Sequence, residues 1–481
     1  MTRIVLLSDG TGNAAASVWK TNVWRMFEGI NLSASDQIAY YDDGVGTSSF
    51  KPLAILGGVF GYGLKRNVLD IYKFLCRNYK SQAEYAAEGQ TCEGDEIFAF
   101  GFSRGAFTIR TLLGFVADQG LVKYTSEAVL EKNAGAAYRQ YRNKHFRTKT
   151  RIEVPIRWLR SFFVSATHDV SQKQVDEIKF VGVWDTVAAY GLPIDEMARG
   201  VSRYLFPLEL PGRTLNAKIK RACHALSLDD ERTTFHPVLW NEQAEKKQDG
   251  DRWKTTDETI TQVWFAGVHS NVGGGYPDDS LACVPLTWIL EEAAAKGLRL
   301  KQRPTQEPDT LTLSQSAKDK DGRLYDSRSG LGGYYRYGPR SVEELSNSRS
   351  DDPRDKVRID LPKIHHSVLD RIRMNAHLYA PVGLPQNYAV VNENREVVRQ
   401  RGETYEAIDQ AQQRRSDQEK IWNTVWRRRI IYFLSVCASL YLAMYPLFWI
   451  VKPDSEASTR LRFISDFIEL VGTFLPSFSS R

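Results

Sequence analysis

Short runs of apolar residues closed by Gly, Ser or Asp recur along the chain, at 4–7, 38–41, 97–100, 180–184 and 263–268. Runs this short do not make a helix; they read as strands buried on both faces, the pattern of a parallel sheet. Stretches with helical apolar spacing lie between them, at 64–79, 106–116, 126–142 and 284–296, so strand and helix alternate. That order predicts an α/β fold with a mostly parallel, doubly wound sheet, occupying residues 1–300.

Past residue 300 the pattern changes. Gly, Ser, Arg and Asp dominate as far as residue 355, around the island Leu331-Gly-Gly-Tyr-Tyr-Arg-Tyr-Gly338, so the regular sheet is expected to end near residue 300. Apolar positions return at Ile364, Val368, Leu369 and Ile372, and 301–400 reads as an irregular, cap-like insertion packing back on the α/β domain. Residues 401–429 are a polar connector ending in Arg427-Arg428-Arg429. Residues 430–451 then form 22 positions without a charge. As a helix this run is about 33 Å long, enough to cross a bilayer's hydrocarbon core. A buried core helix is the alternative, but the arginines beside the run favour a transmembrane helix with the α/β domain on the cytoplasmic side. In the tail, 452–481, the stretch 463–478 carries Asp466 and Glu469 and suits an amphipathic segment at the membrane surface.

Composition alters this picture little. A 42% hydrophobic, 25% charged chain is not a disordered one, and 64 basic against 58 acidic residues, net +6, gives no footprint of a nucleic-acid binder. The five cysteines are odd in number and far apart, without a Cys-x-x-Cys pair, which points to a reducing compartment and no structural metal. Four apolar residues before Ser8 are too few for a signal peptide. No motif calls for a cofactor.

The chemistry gathers around Gly101-Phe-Ser-Arg-Gly105, which follows an apolar strand and opens an amphipathic helix. In that context Gly-x-Ser-x-Gly is a nucleophile turn: the serine sits in a strained conformation, and small neighbours let strand and helix pass. Ser103 is the candidate nucleophile, and the Arg104 amide at the helix N-terminus is the candidate first donor to an oxyanion. The plain alternative is a serine that only caps the helix. The loop Ser8-Asp-Gly-Thr-Gly-Asn13 is a candidate for the second donor, through an amide of Asp9, Gly10 or Thr11; a simple strand-to-helix turn is its alternative.

A serine hydroxyl needs a histidine to take its proton and an acid to orient that histidine. All eight histidines follow Ser103, so local context has to choose. His269 stands just past an apolar strand, before Gly273-Gly-Gly275, and Asp185 stands just past the strand at 180–184, both where an open α/β sheet collects its ligands. A helix cap for Asp185 and a loop hydrogen bond for His269 are the plain alternatives. His224, in a helix-like stretch, and Asp229 or Asp230 after it are competitors, and His224, Asp230 and Asn271 are read as supports behind the triad. His168, His365 and His366 lie in polar surroundings and read as solvated.

Taken in order, Asp9-Gly-Thr-Gly-Asn13, Gly101-Phe-Ser-Arg-Gly-Ala106, Gly182-Val-Trp-Asp-Thr-Val187, Ala225-Leu-Ser-Leu-Asp-Asp-Glu-Arg232 with Phe235-His-Pro-Val-Leu-Trp240, and Trp264-Phe-Ala-Gly-Val-His-Ser-Asn-Val-Gly-Gly-Gly-Tyr276 form one set. It resembles the α/β-hydrolase family that contains the phospholipase effectors of bacterial type VI secretion. The resemblance covers residues 2 to about 300 and implies nucleophile, acid and base at Ser103, Asp185 and His269. Many relatives carry Asp where this chain has Asn271, which leaves the triad positions intact. It also implies cleavage of acyl esters of membrane phospholipids. The expectation is a membrane-anchored serine lipase or phospholipase with an acyl lipid as its partner. A thioesterase or peptidase on the same triad, and a catalytically silent membrane interaction protein, are the alternatives.

Overall fold

The computed structural model describes residues 1–10, 18–44, 58–145, 172–188, 210, 212–245, 250–302, 310–348, 350, 353–399 and 408–448. Thr11, His168 and the tail at 452–481 with its stretch 463–478 lie outside the described residues.

Ten strands make one sheet among the described residues: β1 (Arg3–Ser8), β2 (Gln37–Asp42), β3 (Glu96–Phe102), β4 (Ile178–Trp184), β5 (Ala222–Ser227), β6 (Arg252–Lys254), β7 (Ile260–Phe265), β8 (Lys363–His365), β9 (Ala389–Val391) and β10 (Glu396–Arg399). Their spatial order is β2-β1-β3-β4-β5-β7-β8-β9-β10-β6. All neighbours from β2 to β9 pair parallel, and only β10 and β6, at one edge, pair antiparallel.

The apolar runs are continuous because both faces of the sheet are covered. On β1, Ile4 and Leu6 join a cluster with residues of helices α2 (Gly58–Asn78), α3 (Arg104–Gln119) and α4 (Glu127–His145). Val5 and Leu7 join the opposite cluster, with Val23 and Met26 of α1 (Asn22–Gly29) and Trp288 and Ile289 of α5 (Cys283–Ala295). β3 repeats the split, with Ile97 and Ala99 on one side and Phe98 and Phe100 on the other. Successive strand residues point to opposite faces, so a two-sided core needs an apolar residue at every position.

Three expectations need correction. The sheet does not end near residue 300: β8, β9 and β10 extend it, and Leu226, Trp264, Ile364, Val368, Val390 and Val342 share a third buried cluster. His224 is on a strand, β5, every residue of which is buried, and not on a helix. The transmembrane helix expected at 430–451 is not found: among the described residues no helix is long and apolar enough to cross a membrane. Residues 430–448 are the end of the helix Ile408–Phe448, whose earlier turns carry Arg414, Arg415, Asp417, Glu419 and Lys420; residues 449–451 lie outside the described set. Met1–Val425 and Trp426–Arg481 are separate compact units.

β3 passes into α3 through Gly101-Phe-Ser-Arg-Gly105, and the crossing is tight. A side chain at Gly105 would run into the carbonyl oxygens of Ser8 and Asp9, backbone atoms fixed by the sheet. At Gly135, on α4, the nearest atom to an added Cβ is the mobile end of Arg139, at 3.5 Å. Gly105→Ala is therefore expected to lower stability by at least about 1–3 kcal/mol. Gly135→Ala should raise it by about 0.4–1 kcal/mol, both read by denaturant unfolding. Equal effects of the two substitutions would contradict this packing.

Candidate active site

Ser103 has φ 58° and ψ −123°, a conformation that a residue with a side chain adopts only when its surroundings enforce it. They do so from β4: the Ser103 N–H donates to the Trp184 carbonyl at 3.0 Å, and the Val187 N–H donates to the Ser103 carbonyl at 3.4 Å. Gly101 permits the fold-back, because a Cβ there would sit 2.7 Å from the Ala106 backbone. Ser103 occupies the N-cap position of α3 yet makes no side-chain cap hydrogen bond. Its Oγ lies 2.8 Å from His269 Nε2 instead, so capping does not account for this serine.

His269 is the first residue of a short helix, His269–Gly273, reached through Ala266-Gly-Val268 after the end of β7. Its Nδ1 lies 2.6 Å from Asp185 Oδ2. With a carboxylate on one side and a hydroxyl on the other, the consistent tautomer has Nδ1–H donating to Asp185 and Nε2 accepting from Ser103. The rings of Phe102 and Phe235, 4.6 and 5.2 Å away, hold the imidazole between them. Asp185 is completely buried at the end of β4, its N–H donating to the Ala225 carbonyl at 2.7 Å. The structure thus brings Ser103, His269 and Asp185 into one hydrogen-bonded line.

A fourth residue completes that line, and sequence reasoning missed it. Arg340, also buried, forks onto Asp185 with Nη1 2.6 Å from Oδ1 and Nη2 2.8 Å from Oδ2. Ser227 adds its N–H to Oδ1 at 3.0 Å and its hydroxyl to Oδ2 at 3.2 Å. Burial by itself would raise the Asp185 carboxyl, but the Arg340 charge and the hydrogen bonds of His269 and Arg340 outweigh it and hold it well below the usual carboxylate range. Removing one member of a buried pair leaves the other charge uncompensated, at a cost of about 3–5 kcal/mol. The only sequence signal was the Tyr/Gly island that ends two residues before Arg340.

The supporting candidates fall around this line. His224 accepts the Thr186 N–H at 3.1 Å and faces Gln262 Oε1 at 3.2 Å, which steadies the turn after Asp185. Burial holds His224 down at about 3, so it stays neutral. Asp230 accepts the His269 N–H at 3.2 Å and is paired with Arg232. Asn271 bonds the Val268 and Tyr325 amides and the Arg323 carbonyl, tying the histidine loop to the segment at 323–325. Asp229 accepts the Gly267 N–H and the Tyr379 hydroxyl, so it supports the same loop from behind. His365 is buried against Phe265, not solvated, while His366 pairs with Asp370.

The loop after β1 departs from expectation. The Asp9 N–H donates to the Asp42 carbonyl at 2.9 Å and the Gly10 N–H to Asp9 Oδ1 at 2.6 Å, so both amides are engaged elsewhere. Asp9 also takes the hydroxyls of Thr21 and Tyr41, and burial pushes its carboxyl up to about 6. Its visible work is to brace the loop. Arg104 opens α3, where amides point out of the helix N-terminus.

Such an arrangement can move a proton from a serine oxygen to a histidine and on to a leaving group. A serine-histidine-aspartate line at the strand ends of a mostly parallel α/β sheet is the arrangement of a nucleophilic-serine site. Residues 2–292 match the sequence profile described as "T6SS, Phospholipase effector Tle1-like, catalytic domain", and the chain belongs to that family. An uncharacterized protein of Saccharomyces cerevisiae is 25% identical over 251 residues, 49% of this chain and 32% of that protein. The chain therefore spans about a third of the length of that curated relative. An uncharacterized Pseudomonas aeruginosa protein of solved structure is 17% identical with a TM-score of 0.39, over 66% of this chain and 49% of that one. A Tle1 effector, solved bound to the VgrG spike of a type VI secretion system, is 17% identical with a TM-score of 0.31, over 58% and 52%.

Burial, ahead of the opposing pull of Asp185, holds the His269 imidazole below its ordinary 6.5. The neutral, proton-accepting form therefore predominates at pH 6.5 and above. The rate at which Ser103 reacts with a fluorophosphonate should fall in acid solution with its half-point below pH 6.5. A rate already halved at pH 7 or above would contradict the arrangement.

Proposed function

We propose that the protein is a serine esterase that cleaves acyl esters of membrane phospholipids. The observation that carries the reading is the continuous line from Ser103 Oγ through His269 to Asp185. Ser103 attacks the ester carbonyl as His269 Nε2 takes its proton. The negative charge that develops on the carbonyl oxygen meets the N-terminus of α3 at the Arg104 amide. His269 returns the proton to the departing alcohol, leaving an acyl group on Ser103 that water then removes by the same route. Asp185 keeps the imidazole in the required tautomer throughout.

Two features support a lipid over a soluble ester. The family is described by phospholipase effectors. In the C-terminal unit, Ile430, Ile431, Phe433 and Leu434 are exposed large apolar side chains just after Arg427-Arg428-Arg429, chemistry that suits an anionic lipid surface on the cytoplasmic side. A thioester or amide would meet the same nucleophile, so the bond is decided by assay.

Phospholipid vesicles and a short-chain soluble ester distinguish the possibilities. The wild-type chain is expected to release fatty acid from vesicles and Ser103→Ala to release none, while Ile431→Asp with Phe433→Asp slows the vesicle reaction and spares the soluble one. A wild-type chain that is folded and binds vesicles but hydrolyses no ester would favour the silent interaction protein.

A further inference from the structure

Resting on the assignment of Ser103, His269 and Asp185 just given, we propose that Arg340 is a positioning residue for the hydrolysis. It clamps the Asp185 carboxylate and offsets its charge, so that His269 serves as a base in mildly acid solution.

The clamp is specified from both sides. Toward Asp185 the guanidinium presents two parallel N–H groups, one to each oxygen, the geometry that fixes a carboxylate's plane as well as its place. Away from it, Nη1 donates to the Ser227 carbonyl at 2.6 Å and Nη2 to the Phe235 carbonyl. Phe235 is the ring set edge-on against His269, so the arginine ties together the acid that orients the imidazole and the wall that confines it. Oδ2 is then left aimed at His269 Nδ1, 2.6 Å away.

The electrostatic consequence follows from Coulomb's law. A buried carboxylate alone beside an imidazole strongly favours the imidazolium. A guanidinium on the same carboxylate repels that imidazolium and removes part of the benefit. His269 then stays neutral to lower pH, and the base is available where a triad with an unopposed aspartate would be protonated. The other charged groups facing His269 are Asp230, which accepts its backbone N–H, and Arg232, which pairs with Asp230 and stacks over Phe235 at 3.6 Å. Both remain in place when Arg340 is changed, although Asp230 also feels the Arg340 charge. Arg340 lies beyond residues 2–292, so the segment past the matched domain contributes directly to the site.

The full-length Arg340→Met and Arg340→Lys proteins test this, with the pH profile of kcat/KM on a short-chain soluble ester as the readout. Arg340→Met leaves Asp185 unopposed, and its acid limb is expected to move up by at least about one pH unit. Arg340→Lys keeps the charge without the fork: its acid limb should stay near that of the wild type while kcat drops about tenfold with KM little changed. A folded Arg340→Met protein with the wild-type acid limb overturns the proposal, because a merely structural ion pair changes stability and not this limb. If Arg340→Met does not fold, Arg340→Lys decides: a wild-type kcat overturns the proposal and a lowered kcat with an unmoved limb supports it. Fluorophosphonate labelling of Ser103 in the wild type reports on the triad alone. An unlabelled wild type sinks the triad, whereas a labelled wild type with indifferent Arg340 variants sinks only the role of Arg340.

Discussion

A carboxylate with no exposure to water has to be held by charge and hydrogen bonds from every side, and Asp185 is such a group. Its two oxygens accept from Arg340, His269 and both donors of Ser227. That requirement shapes the fold well beyond the site. The arginine comes from a segment 155 residues further along, which must be anchored firmly enough to keep a guanidinium out of water. The third apolar cluster does this: Val342, two residues after Arg340, packs in it together with Leu226, Trp264, Ile364 and Val390. The strands added after residue 300 thus extend the sheet, and the cluster they share with Val342 anchors the segment that carries the counter-ion of Asp185.

The nucleophile depends on the same end of the sheet. β1 pairs with β2 on one side and β3 on the other, so the chain reverses direction across the sheet between β1 and β3, where an open α/β sheet leaves a crevice. Ser103 leaves β3 there and Asp9 leaves β1. The strain at Ser103 is supported by its bonds to Trp184 and Val187, which flank Asp185. Ser103 and Asp185 are therefore set relative to each other through the end of β4 and the turn after it, and His269 arrives from the loop after β7 to join them.

Much of this was legible in the sequence because the signals were local. The serine turn is five consecutive residues between an apolar strand and an amphipathic helix, and Asp185 and His269 each follow an apolar run. What escaped depends on distant partners. β5 reads as helix in the sequence because Cys223-His-Ala-Leu-Ser227 has a histidine where an apolar residue would mark a strand; Thr186 and Gln262 satisfy that histidine. β8 and β9 are three residues each, too short for any periodicity to register. Arg340 sits in a polar stretch with Arg336, and the Tyr/Gly island before it does not by itself mark an arginine as buried. The amides of Asp9 and Gly10 looked available in a glycine-rich loop, and only the fold reveals that Asp42 and the Asp9 side chain already take them.

The central claim is that the buried line ending at Ser103 performs covalent acyl transfer. Rapid acid quenching of the full-length protein during turnover of an activated acyl ester, followed by peptide mass spectrometry, tests it most directly. The expected result is one acyl mass added to the peptide that contains Ser103, absent from Ser103→Ala. Turnover of the ester with no acyl adduct, or with the adduct on another residue, would contradict it.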